Sequence, residues 1–160
     1  MARSRPSSPC ALLLALFSHA LALAPGPGKL ILLRHGQSSW NLENRFTGWE
    51  DVPLTPKGEL EAREATELLL AEVDAIDACY TSVLQRAIST ADICLEGWTA
   101  DGQRAMPPMR PRWRLNERHY GALQGLDKSE AMRKMSGSDL HEWRLSFNGA
   151  PPPMAADHPF

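Results

Sequence analysis

The stretch Leu30-Ile31-Leu32-Leu33-Arg34-His35-Gly36-Gln37-Ser38-Ser39-Trp40-Asn41 limits what this chain can fold into more than any other. Four consecutive apolar residues, Leu30 to Leu33, predict a strand buried on both faces, as inside a parallel sheet. The run stops at Arg34-His35-Gly36, so a cation and an imidazole stand where a strand leaves the sheet, the place where open α/β sheets hold ligands. Gly36 lacks a Cβ and lets backbone approach a bound group closely. Arg34 presents a rigid fork of donors that matches phosphate oxygens. A neutral His35 has a ring lone pair and can attack phosphorus. The stretch therefore predicts a phosphate pocket with a histidine at its floor, although Arg-His-Gly alone is short enough to arise by chance.

The chain has 160 residues, enough for one domain, and its 43% hydrophobic and 22% charged content is that of a folded globular protein. A formal net charge of −2 removes the case for general nucleic-acid binding, so a basic site must be a local cluster on a mildly acidic body. Cys10, Cys79 and Cys94 share no ligand spacing, and Cys79 and Cys94 fall in predicted core elements as free thiols.

The first residues predict a targeting leader. Met1 to Pro9 holds Arg3 and Arg5 and no acid, and Cys10 to Ala24 is almost wholly apolar. This is the charged and then apolar order of a secretory signal, and the apolar block falls short of the ~20 residues of a membrane span. Ser18 and Ala20, or Ala20 and Ala22, suit a cleavage site. Pro25 to Gly28 then reads as a linker. The expected destination is the secretory pathway or a plastid reached through it, with the cytoplasm as the alternative. The expected division is residues 1–28 as leader and linker and 29–160 as the N-terminal portion of a catalytic domain.

Beyond the Arg-His-Gly turn, Asn41 to Trp49 reads as a structured loop in which Thr47-Gly48 offers a hydroxyl and a bare N–H to an anion. Thr55 as N-cap and Pro56 at the first position open a helix whose face carries Ala62, Ala65 and Leu69, widened by Leu68 and Val73. Ile76 to Tyr80 predicts a second short strand. Ser82 and Gln85 have capping-box spacing, followed by a stripe of Leu84, Ala87, Ile88, Ala91 and Leu95. Arg86 falls in that helix's first turn and off the stripe. A cation there opposes the helix dipole, so it is either a surface arginine or a partner for a bound phosphate. Gly97 to Pro111 reads as a loop. Trp113 to Gly121 is too polar for a buried strand, and Glu117 among arginines can move protons or simply form a salt-bridged loop. Asp127 caps a further helix, and Ser138 to Phe147 predicts another, ended by Pro151-Pro152-Pro153.

Taken together, these segments resemble the cofactor-dependent phosphoglycerate mutases of the histidine phosphatase superfamily. The likeness runs from about Lys29 to Phe160. It is carried by Leu33-Arg34-His35-Gly36-Gln37-Ser38, Trp40 through Trp49, Thr81-Ser82 with Arg86-Ala87, Arg114 through Gly121, and Pro151-Pro152-Pro153-Met154. The resemblance implies an α/β fold of three layers, a mostly parallel sheet with helices on both faces, here C-terminally incomplete. It implies that His35 carries a phosphoryl group between turnovers, that Arg34, Arg86 and Asn41 hold the phosphate, and that Thr47 and Gly48 bind substrate. Glu117 would exchange the substrate proton, while Arg118, Tyr120, Lys128 and Arg144 would orient a carboxylate and a second phosphate. Gly36, Gln37, Ser38 and His119 join the binding set through their motifs. The implied reaction interconverts 2- and 3-phosphoglycerate, primed by 2,3-bisphosphoglycerate, without a metal. The implied partner is a small phosphorylated substrate, with no nucleic acid, no stable membrane span and room for a homodimer.

Two departures stand out. The family has a second His-Gly pair on a later strand, whereas the histidines here besides His35 are His19, His119, His141 and His158, and none fits that role. Family members usually have two adjacent arginines where this chain has Arg144-Leu145. The competing expectations are a phosphatase of the same superfamily, which would not be expected to keep Asn116 to Tyr120 and Lys128, and an inactive truncated module that binds a phosphorylated ligand.

Overall fold

The computed structural model describes residues 28–160; the leader, its apolar block, Cys10 and all of the Pro-Gly linker before Gly28 lie outside the described residues. The chain divides into two units, Met1–Leu32 and Leu33–Phe160, and the second carries every helix and strand described. Helix α1 spans Ser39–Leu42 and α2 spans Pro56–Glu72. Strand β1 (Cys79–Thr81) leads into α3 (Gln85–Thr99) and then β2 (Met109–Pro111). Single 3-10 turns follow at Trp113–Leu115 and Gly121–Leu123, then α4 (Lys128–Lys134) and α5 (Gly137–Leu145).

β1 and β2 are parallel, with Cys79 opposite Met109, Tyr80 opposite Arg110 and Thr81 opposite Pro111. Parallel neighbours need a crossover, and α3 supplies it, which makes an α/β fold. The expected strand at Leu30–Leu33 is not formed. Leu30, Ile31, Leu32 and Leu33 are exposed, and the described strands pair only with each other. An apolar run demands burial, but a strand exists only where a neighbour supplies hydrogen bonds. The second strand lies later than expected, at Cys79–Thr81 rather than Ile76 to Tyr80, because its register is set by β2. The segment from Gly97 to Pro111 is likewise not all loop: α3 continues to Thr99, and β2 begins at Met109.

α2 starts as its sequence predicts. Thr55 Oγ1 accepts from Gly58 N at 3.1 Å, with Pro56 at the first helical position. Its buried stripe is Gly58, Ala62 and Thr66, while Leu68 is turned to solvent. The small stripe lets α3 come close. Cys94 Sγ donates to Ala62 O at 3.0 Å, and a Cβ on Gly97 would press on the Thr66 methyl. Ala62, Cys94, Leu95 and Trp98 are all buried. The thiols are free, Cys94 buried and Cys79 half-buried, and burial raises the pKa of both.

The capping box at Ser82 and Gln85 is replaced by another device. Leu84 is the N-cap and makes no side-chain cap, and Ser82 Oγ instead accepts from Leu84 N. The free N–H of Gln85 donates to Asp51 Oδ1 at 2.6 Å, and the Gln85 amide returns a bond to the Asp51 carbonyl. A carboxylate from a distant loop thus caps α3 where the dipole favours negative charge. Arg86 is not off the buried stripe either: with Thr90, Cys94 and Trp98 it lines the buried side of α3.

A second core gathers Phe46, Leu123, Ala131 and Leu140, with Tyr120, Met135 and Trp143 packed against it. It draws α4 and α5 under the 44–48 segment. Asp127 caps α4 by accepting from Glu130 N at 2.8 Å, and Asn44, at φ 58, accepts Lys128 N at 2.8 Å through its carbonyl.

Candidate active site

The turn that carries His35 is pinned on three sides. Gly36 N donates to Thr90 Oγ1 on α3 at 3.2 Å, and Gln37 N donates to Glu61 Oε2 on α2 at 2.8 Å. Gln37 O accepts from Thr55 N at 2.9 Å. A Cβ at Gly36 would collide with the Gly58 carbonyl, so the turn can sit on the first turn of α2 only without one. Ser38, fully buried, and Asn41 form a reciprocal capping box at α1.

His35 is half-buried. Its Nδ1 lies 2.7 Å from Gly36 O, an atom that can only accept, so Nδ1 carries the proton. Nε2 then keeps its lone pair and accepts from Arg86 Nε at 3.3 Å. Burial lowers the His35 pKa; the Gly36 bond opposes this, and the Arg86 and Arg34 charges add to the lowering. The ring is held neutral, in the tautomer whose free nitrogen is Nε2.

Arg86 is 1% exposed. Besides His35 it donates from Nη1 to Glu50 O (2.9 Å) and from Nη2 to Gly48 O (2.9 Å) and Glu117 Oε2 (3.0 Å). It thereby ties the 48–50 loop, the nucleophile candidate and the acid–base candidate to one guanidinium. Neither alternative from the sequence describes it fully: it is no surface arginine, and in this structure carbonyls and a carboxylate satisfy it.

Arg34, His35, Gln37, Asn41 and Glu61 line a cavity of about 280 Å³. Asn41 Oδ1 accepts from Ser38 N at 3.1 Å, and Gln37 Oε1 accepts from Thr55 Oγ1 at 2.9 Å. Thr47 is buried, and Gly48 has φ 59, where a Cβ would also press on Gln124 Oε1 at 2.9 Å.

A second set of cations surrounds Phe46. Lys128 Nζ and the Arg144 guanidinium each lie 5.9 Å from its ring centroid. Burial lowers the Lys128 pKa, and the Arg144 charge lowers it further. Tyr120 packs on Phe46 at 5.2 Å, and its pKa is raised by burial and by the Glu117 charge. Arg118 is spent elsewhere: Nη1 and Nη2 donate to Trp143 O (2.5 Å) and Ser146 O (2.8 Å), holding the end of α5 from which Arg144 projects. His119 is exposed, stacks edge-on with Trp49, and accepts from Gly121 N at 2.9 Å through Nδ1.

Sequence reasoning missed Asp51, Glu61 and Gln124. Gln124 is buried and accepts Trp49 N at 3.2 Å, while Asp51 and Glu61 read as ordinary acids until the fold brings them to a helix N-terminus and a turn. Among the described residues no three His, Cys, Asp or Glu side chains gather as metal ligands would.

Residues 30–157 match the histidine phosphatase superfamily (branch 1). A 2,3-bisphosphoglycerate-dependent phosphoglycerate mutase of Nitratidesulfovibrio vulgaris (Miyazaki F) is 53% identical over 130 residues, 81% of this chain and 51% of that protein. The enzyme of the same name from Sphingopyxis alaskensis is 52% identical over 128 residues, covering 80% of this chain and 54% of its own. The chain thus spans about half the length of the curated relatives it matches. Among solved structures, Bacillus stearothermophilus YhfR superimposes with a TM-score of 0.56 at 34% identity, over 69% of this chain and 50% of that one. A mycobacterial glucosyl-3-phosphoglycerate phosphatase gives 0.56 at 29% identity, over 66% and 46%.

Proposed function

Because the chain belongs to branch 1 of the histidine phosphatase superfamily, we propose that it contributes the N-terminal part of a phosphoglycerate mutase site that works through a phosphohistidine. The observation that carries this reading is the geometry at His35, whose Nδ1 lies 2.7 Å from Gly36 O and whose Nε2 lies 3.3 Å from Nε of a buried arginine that also binds Glu117. The names of the relatives at about half identity support the substrate class.

In this reading Nε2 attacks phosphorus, the bond from phosphorus to the substrate oxygen breaks, and Glu117 delivers a proton to the departing oxygen. The return transfer to the neighbouring hydroxyl runs with the same groups in reverse. Arg86 and Arg34 stabilise charge on the transferring oxygens, the main task in phosphoryl transfer. A bisphosphoglycerate primer has two phosphates and a carboxylate, and the structure has two cation groups, Arg34–Arg86 and Lys128–Arg144, to receive them. A lysine with a lowered pKa beside an arginine is a site that gains by taking an anion. These residues would hold the primer, which when bound supplies the phosphoryl group that loads His35.

The test incubates the 160-residue chain with phosphate-labelled 2,3-bisphosphoglycerate and seeks acid-labile, base-stable label that is absent in His35→Asn. Conversion of 3- to 2-phosphoglycerate is followed alongside. Label on His35 with at most slow isomerisation is the expected result, because the chain spans about half the length of its curated relatives. Free phosphate without 2-phosphoglycerate would establish a phosphatase, and no label on His35 would refute the reading. We also read residues 1–28 as a targeting leader, checked by the destination of a fluorescent protein fused behind them.

A further inference from the structure

We infer that the indole of Trp49 positions Glu117 for proton transfer; this rests on the roles proposed above for His35 and Glu117. Trp49 is 44% exposed, so core burial does not account for its placement. Its Nε1–H nevertheless donates to the Glu117 carbonyl at 2.8 Å, across 68 residues of sequence. Its backbone N–H donates to the buried Gln124 Oε1 at 3.2 Å, and the ring edge meets Trp113 and His119 at 6.3 and 5.6 Å. The indole is therefore fixed at its backbone, its ring and its donor.

The residues on either side of Trp49 act on Glu117 as well. The carbonyls of Gly48 and Glu50 hold Arg86, and Arg86 Nη2 holds the Glu117 carboxylate at 3.0 Å. One three-residue loop thus grips Glu117 at both ends, the backbone carbonyl directly and the carboxylate through Arg86. The Glu117 side chain is more than a third exposed, so without the backbone grip the carboxylate could keep its charge contact while swinging away from a reacting oxygen. Trp49 touches no reacting atom in this arrangement and acts only through Glu117.

Donors with different leaving groups separate positioning from a general structural role. Transfer from 2,3-bisphosphoglycerate to His35 Nε2 expels an alkoxide, which must take a proton. Transfer from 4-nitrophenyl phosphate forms the same P–N bond and expels 4-nitrophenolate, which leaves as a stable anion and needs no proton. Trp49→Phe keeps an aromatic ring and removes the N–H. Loading of His35 is measured in wild type and variant with both donors. The expected result is a loss of about tenfold with bisphosphoglycerate and under about twofold with 4-nitrophenyl phosphate. Equal losses with both donors, or none with either, would overturn the inference. In wild type, the Trp49 indole N–H signal, assigned sequentially in isotope-labelled protein, should exchange slowly with solvent. Fast exchange would overturn the contact even if the variant failed to fold. Wild type that gains no phosphate from either donor would overturn the His35 reading itself, and this inference with it.

Discussion

Arg86→Met removes the guanidinium at the centre of the site and keeps most of the stem. Its consequence can be worked from the partners left behind. Gly48 is buried, so its carbonyl would lose its Arg86 bond with little water to replace it, at about 1–3 kcal/mol. The Glu50 carbonyl belongs to a half-buried residue and rehydrates in part, for about 1 kcal/mol. Glu117 is exposed enough to take water and adds little. Removing a buried charge also removes its own desolvation cost, which keeps the total towards the middle of the range. The expected destabilisation is about 2–4 kcal/mol. With a urea dependence of about 2 kcal/mol per molar, the unfolding midpoint should fall by roughly 1–2 M. The same variant should raise the His35 pKa, because the Arg86 charge is one of its depressants, yet leave it below the ordinary value, because burial is the larger cause. Urea titration followed by tryptophan fluorescence reads the first, and proton NMR of the imidazole reads the second. A midpoint shift under about 0.3 M with unchanged slope, or a His35 pKa that falls, would refute the account of Arg86 as the hub.

Three further outcomes are expected. His35 has a lowered pKa in the folded chain, so the native state binds its proton less readily than the unfolded one; its contribution is complete above the unfolded value of about 6.5 and is lost as pH falls towards the folded pKa. His35→Asn should therefore show a shallower loss of stability than wild type between about pH 8 and about pH 5, measured by urea unfolding at each pH. Gly48→Ala places a Cβ at φ 59 against Gln124 Oε1 and should cost about 1–3 kcal/mol in the same assay while weakening phosphate loading; an unchanged midpoint would show that the turn relaxes freely. Arg144→Leu should raise the Lys128 pKa, read from the pH dependence of its reductive methylation, since Arg144 is its main charged depressant.

Much of the site was legible from local sequence because its parts are local. Arg34-His35-Gly36 sits in a turn whose close packing needs Gly36, and Thr55-Pro56 and Asp127 start helices by short-range capping that requires no knowledge of the rest of the chain. The order of the motifs also determined the family, since resemblance depends on residue identity and spacing alone. Contacts between segments far apart in sequence were decided by the tertiary structure. Ser82 has the right spacing for a capping box, but Asp51 reaches the end of α3 and takes the N–H instead. Arg86 reads as either a surface cation or a phosphate partner until the 48–50 carbonyls and Glu117 close around it. Leu30 to Leu33 fails in the opposite sense: apolar pattern states a preference for burial, but only a neighbouring strand can convert that preference into a sheet. Sequence thus determined which groups are available and how each short segment turns. The fold decided which groups meet, because long-range pairing depends on where other segments lie and leaves no periodic mark on the residues that take part.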